Sequence, residues 1–169
     1  MYALLLFPLS ALAAEKTVDD FKVAVTASPI HLTIPLLEVT GEVKLAPKIS
    51  AALIAGYGIP DGTDSVIELG AQGRYYVLGD FRSGLQLGAE AIYLRVSASD
   101  SGVTATGSGA TFGPFVGGKW TADIGFTVDG QVGVQWSGIS ASATDGETTA
   151  SASESDMSPL ININLGWSF

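Results

Sequence analysis

From residue 21 onward, apolar and polar residues take turns along the chain, and this period of two limits what it can fold into. Between Ile124 and Ser137, one face collects Ile124, Phe126, Val128, Val132, Val134 and Trp136, with Gly130 among them. The other collects Gly125, Thr127, Asp129, Gln131, Gly133, Gln135 and Ser137. A helix repeats every 3.6 residues and would mix the two sets; a strand keeps them apart. The same pattern sets Ile67, Leu69, Ala71, Tyr75 and Val77 against Glu68, Gly70, Gln72, Arg74 and Tyr76. It also sets Leu85, Leu87, Ala89, Ala91 and Tyr93 against Gln86, Gly88, Glu90 and Ile92. Runs of this kind, punctuated by Gly, Asp, Ser and Pro, predict eight strands near 21–34, 38–45, 48–58, 65–77, 84–96, 107–120, 124–137 and 158–169. Pro29 interrupts the first, and the third is apolar on both faces, which leaves its orientation open.

The connections alternate between short links and longer ones rich in Ser, Thr, Gly, Ala and Asp. The longer ones are 59–64, 97–106 and 138–157, and the tight first link near Pro35 is the exception.

Composition sharpens this reading. The chain has 169 residues, 47% of them hydrophobic and only 15% charged, with a net charge of −9 and no cysteine. Its mean hydropathy of +0.37 excludes a disordered chain. Yet nowhere do roughly 18 apolar residues run together, so no transmembrane helix is available. The acidic balance argues against a nucleic-acid partner, and the absence of cysteine excludes disulfides and thiolate-bound zinc. No metal site and no cofactor is expected. Asp61-Gly62-Thr63-Asp64 offers too few oxygen ligands at the spacing of a calcium loop.

Residues 1–14, MYALLLFPLSALAA, read as a cleaved secretory signal peptide with an A-x-A end, although no basic residue precedes Lys16. Residues 15–169 are then one exported domain.

Two all-β arrangements differ in which face points inward. Glycine on a solvent face weakens a strand and covers nothing, whereas inside a narrow barrel it makes room for Glu, Arg and Gln. The polar face is therefore assigned to the interior. Ten residues separate Phe126 from Trp136, which is about 25 Å of height at ~3.3 Å per residue and a tilt near ~40°. Tyr57, Tyr93 and Trp136 stand at the long-loop ends of their strands. Tyr75, Trp120, Phe126, Trp167 and Phe169 gather at the short-turn end. Two aromatic belts about one bilayer core apart predict an eight-stranded antiparallel up-and-down transmembrane β-barrel, closed because lipid tolerates no unpaired edge.

The chain resembles the small eight-stranded bacterial outer-membrane barrels of the OmpA/OmpX type. The most specific element of the resemblance is the last strand, Ile161-x-Ile163-x-Leu165-x-Trp167-x-Phe169. In that class, alternate apolar residues and a terminal Phe resemble the signal read by the barrel-assembly machinery. The resemblance implies a Gram-negative outer-membrane, porin-like location. It also implies contact with membrane lipid and lipopolysaccharide, and a monomer.

On this phase the lumen receives Lys22, Lys44, Arg74 and Lys119 together with Glu38, Glu42, Glu68, Glu90 and Asp129, a cross-lumen network with Arg74 as its hub. Eight strands leave an interior that side chains fill. The acidic surplus falls on the long loops, at Asp61, Asp64, Asp100, Asp145, Glu147, Glu154 and Asp156. The expected role is structural or surface interaction, without enzymatic activity. The alternatives are a lipid-A-modifying enzyme working through His31, the one histidine, a small-solute channel, and a soluble lipocalin-like binder with its apolar face inside.

Overall fold

The computed structural model describes residues 21–59, 65–100, 103–144 and 149–169. Eight antiparallel strands follow one another round a closed barrel in sequence order. They are β1 Val23–Ala27, β2 Leu36–Ala46, β3 Ile49–Gly58, β4 Ser65–Gly79, β5 Gly84–Asp100, β6 Val103–Thr121, β7 Phe126–Thr144 and β8 Thr149–Ser168. Both ends of the ring of strands lie at the short-turn end. Residues 1–14, expected to be a signal peptide, and Asp61, Asp64, Asp145 and Glu147, expected on long loops, lie outside the described residues.

The short turns carry their own chemistry. Gly79 (φ 72°) and Gly125 (φ 91°) take left-handed backbone that an L side chain resists. The Asp80 carboxylate accepts the Arg82 N–H at 2.9 Å and folds the β4–β5 turn on itself. An Arg82–Asp123 ion pair ties this turn to the β6–β7 turn.

The alternation sorts the faces as period two demands. Leu53, Leu69, Leu87, Phe112, Val132 and Ile161 point outward and are exposed, while Gln72, Arg74, Gln86, Asp129, Gln131 and Asn164 point inward and are buried. A soluble barrel with its apolar face inside has the opposite arrangement. β3 is now oriented: Ser50, Ala52 and Ile54 face in, and Ile49, Leu53 and Tyr57 face out. Two inward glycines make room for a large side chain: a Cβ on Gly88 would come within 2.2 Å of the Phe115 ring, and one on Gly70 within 2.8 Å of Ile92.

Three expectations need correction. The first strand ends at Ala27 rather than near residue 34, and a single 3₁₀ turn, His31–Thr33, follows. Pro29 has no N–H to give to a ladder, and no β1 residue pairs with β8 beyond Ala27 and Leu165. The segments 97–106 and 138–157 are largely paired strand rather than loop. β5 and β6 pair out to Asp100 and Val103, and β7 and β8 out to Thr144 and Thr149. Their Ser, Thr and Ala residues lack the apolar contrast that marks a strand in sequence, but their backbones pair as well as any. Glu154 and Asp156 consequently sit on β8, exposed. The barrel is therefore taller along β5–β8 than along β1–β4.

Candidate functional site in the barrel lumen

Inward side chains form three layers. Nearest the short turns, Phe21, Ala24, Tyr76 and Phe81 make a small apolar cluster. The Lys119 ammonium lies 3.6 Å from the centre of the Phe81 ring. Beside this cluster a hydroxyl chain joins Thr121, Thr127 and Ser168, at 3.1 and 2.7 Å.

The middle layer is a balanced charge cluster. The Arg74 guanidinium donates through Nη1 to Asp129 at 2.7 Å and to Glu42 at 3.2 Å. Its remaining edge bonds the Gln72 carbonyl oxygen. Lys119 donates to Glu42 at 2.8 Å, and the Tyr76 hydroxyl and Ser50 donate to the other oxygen of the same carboxylate. Asp129 also accepts from Gln86 at 2.9 Å and Gln131 at 3.0 Å. Two cations meet two anions, each 4% exposed or less. Such a group tolerates burial because every charge has a partner and further hydrogen bonds.

The outer layer is different. Glu38, Glu68 and Glu90 are 1%, 9% and 7% exposed, and no Lys or Arg pairs with them among the described residues. Glu38 accepts from Asn162 at 3.2 Å and lies 3.1 Å from His31 Nδ1. Glu90 accepts from Gln72 at 2.8 Å, which couples this layer to the Arg74 hub. His31 stands in the link between β1 and β2, outside the strands. Its close contact with Glu38 comes first, opposed by partial burial and reinforced by the charges of Glu38, Glu68 and Glu90. Together these hold it above its ordinary value of 6.5. Among the described residues no hydroxyl is hydrogen-bonded to His31.

The expected lumen network is thus split. Glu42, Arg74, Lys119 and Asp129 come together, and Glu68 and Glu90 form the acidic layer above them with Glu38. Lys22 and Lys44 belong to neither group. Lys22 is exposed, just before the start of β1, and Lys44 is only half-buried near the β2–β3 turn. Both have lumen-facing parity, but at the end of a strand the inside of the barrel opens to solvent.

The aromatic residues form two outer bands. Tyr57, Tyr93 and Trp136 are exposed toward the long-strand end, and Tyr75 and Trp120 toward the short turns. Phe126, half-buried, packs edge-on against Trp167 at 5.4 Å. Ile161, Ile163, Leu165, Trp167 and Phe169 all point outward. The sequence reading missed Phe112, which stacks on Trp136 at 5.6 Å; its outward parity with Trp120 on the same strand was the available signal. It also missed Ser50, Tyr76, Gln86 and Gln131 as ligands of the central carboxylates, although their parity puts them inside. Comparison with known protein families, characterised proteins and solved structures finds no match for this chain.

Proposed function

We propose that this chain is an integral protein of the bacterial outer membrane, a closed barrel with a filled lumen whose tall β5–β8 side serves a structural or surface-interaction role. One observation carries the reading: apolar side chains line the outside of the barrel, while ion-paired Arg74, Lys119, Glu42 and Asp129 lie within it. That inversion is unfavourable in water and favourable in lipid. The two aromatic bands support it, since amphipathic rings favour the two interfaces of a bilayer. Lipid and lipopolysaccharide then surround the barrel, the barrel-assembly machinery engages Ile161 to Phe169, and the protein works as a monomer. Above the upper band, Arg95, Thr106, Ser108, Ser140, Ser142 and Ser153 line an outward groove of about 440 Å³ that offers hydroxyls to a surface partner.

Cell fractionation with heat-dependent gel mobility tests the reading. A membrane-bound band that shifts on boiling is expected; a soluble chain without such a band overturns it. The central cluster argues against a channel, so recordings in planar bilayers are expected to be silent.

A further inference from the structure

Above the upper aromatic band, the two faces of the β5–β8 sheet carry different chemistry. The register sets Arg95, Ser108, Ser140 and Ser153 in one row across the four strands. Their parity is that of the outward Tyr93, Phe112 and Trp136. Glu154 and Asp156 have the parity of the buried Asn162 and Asn164, and border a groove on the other face with Ser137 and Ile139. Arg95 and Lys119 are the only cations on β5–β8, and Lys119 is buried in the central cluster. The outer face at this height thus has one guanidinium, a carpet of hydroxyls and no carboxylate among the described residues.

We infer that this outer face holds the head group of a phosphorylated glycolipid. Its phosphate lies on Arg95, its sugar hydroxyls along Ser108, Ser140 and Ser153, and its acyl chains run down the wall past Phe112 and Trp136. The inference rests on the membrane reading above and names the surface partner of that reading's hydroxyl groove.

The first support is unspent bonding capacity. Arg95 is exposed and pairs with no carboxylate among the described residues. Thr106 and Ser142 share a hydrogen bond at 3.2 Å, whereas no side-chain hydrogen bond engages Ser108, Ser140 or Ser153 among the described residues. In the lumen, by contrast, Arg74 and Lys119 are already held by Glu42 and Asp129. A guanidinium fork matches a phosphate, and a hydroxyl both donates and accepts, as sugar hydroxyls do.

The second support is size and depth. The row spans three strand spacings, about 14 Å at ~4.8 Å each, the length of a disaccharide with a phosphate at one end. The groove of about 440 Å³ falls in the range of small-ligand sites. Arg95 stands two residues above Tyr93 on β5, about 5 Å higher at ~3.3 Å per residue and a ~40° tilt, where head groups begin. The row between is Tyr93, Ala110, Gly138 and Ser155. A Cβ on Gly138 would meet nothing within 4 Å, so a bare shelf beside the Tyr93 ring is left for a sugar. Below it the Phe112–Trp136 stack faces the acyl chains.

The third support is charge. A lipid phosphate without a sugar would use Arg95 and leave the hydroxyls idle, and a neutral sugar would leave Arg95 unpaired. A phosphorylated sugar uses both, and it meets no like charge because Glu154 and Asp156 are turned to the other face.

The test uses the full chain folded in dimethylamine-oxide micelles, a detergent with neither sugar nor phosphate, followed by amide NMR. The probes are a diacylated glucosamine phosphate, a neutral glucosyl diacylglycerol, phosphatidylglycerol and soluble glucosamine phosphate. The first should give saturable shifts at Arg95, Ser108, Ser140 and Ser153, and each of the others should bind at least about tenfold more weakly. Arg95→Gln and Ser140→Glu should each weaken binding of the first probe by at least about tenfold. Ser140→Gln, similar in size but uncharged, should lose less, and Asp156→Asn on the other face should lose nothing. Equal binding by wild type and Arg95→Gln overturns the proposal, as do equal losses from Ser140→Glu and Ser140→Gln. Equal affinity for phosphatidylglycerol or for the neutral glycolipid overturns it without any variant. Equal affinity for soluble glucosamine phosphate overturns the membrane source. A chain that fractionates with membranes and folds in micelles but binds no probe removes this inference alone. A chain that folds without detergent removes the membrane reading instead.

Discussion

Val23 and Phe169 exchange both of their backbone hydrogen bonds: the Phe169 N–H reaches the Val23 carbonyl at 2.7 Å, and the Val23 N–H reaches the Phe169 carbonyl at 3.2 Å. The last residue of the chain thereby pairs with the first residue of β1 and closes the ring. The Phe169 carbonyl accepts the Lys22 N–H as well, at 2.7 Å.

Two changes at this position separate closure from recognition. Phe169→Ser keeps the backbone pair and loses the ring, whereas deleting Phe169 loses both. If the side chain is read as an assembly signal, Phe169→Ser lowers the folded, heat-modifiable band several-fold without impairing secretion. Normal barrel levels in Phe169→Ser, with loss only on deletion, would assign the residue to closure alone.

Removing Arg74 leaves the buried Asp129 without a cation and Glu42 with Lys119 alone. Arg74→Ala should destabilise the folded barrel by about 3–5 kcal/mol, the usual result of breaking a buried pair from one side. Arg74→Lys restores the charge but cannot reach Glu42, Asp129 and Gln72 together, so an intermediate loss is expected. Urea unfolding in lipid vesicles, followed by tryptophan fluorescence, measures both.

Tyr76 is fully buried and spends its hydroxyl on Glu42. Tyr76→Phe keeps the ring against Phe81 and removes one donor from the carboxylate. A loss of about 1–3 kcal/mol follows from a hydrogen bond to a charged group. A smaller change would mean that Lys119, Arg74 and Ser50 compensate.

Gly88 is a matter of space. Any side chain there meets the Phe115 ring, so Gly88→Ala should cost about 1–3 kcal/mol through overpacking. Phe115→Ala in the same chain should recover part of that loss, and a double-mutant cycle in urea measures the coupling. Purely additive effects would show that the two do not share one space.

His31 predicts a pH dependence with a definite sign. Its folded value is raised above 6.5 by Glu38, with Glu68 and Glu90 behind it. The stabilisation is therefore fully present below 6.5 and is lost as pH rises through the folded value. The protein should resist urea better at pH 6 than at pH 8.5, and His31→Gln should remove that contribution. NMR titration of the single imidazole checks the direction; a midpoint below 6.5 would refute it.

Parity made most of this fold legible. It separated inside from outside at Arg74, Asp129, Trp136 and Ile161, because one wrong step would invert an entire strand. It could not find where β5–β8 end, since Ser140, Ala141, Ser142 and their partners carry no apolar contrast while their backbones still pair. It also misplaced Lys22, because parity says nothing about where a barrel's interior meets solvent. The division of the lumen charges into a neutral centre and an acidic vestibule was hidden as well. It depends on height along the barrel axis, which follows from the stagger between strands rather than from any one strand's sequence.

The shortness of β1 has a mechanical consequence. It spans five residues and meets β8 only from Ala24 opposite Ser168 to Ala27 opposite Leu165, plus the Val23–Phe169 pair. β7 and β8, by contrast, stay paired from Phe126 to Thr144. A load on the N-terminal end would peel β1 away bond by bond at low force and leave a seven-stranded sheet curled but unsealed. The ring thus has one button, and its two halves are the first strand and the last.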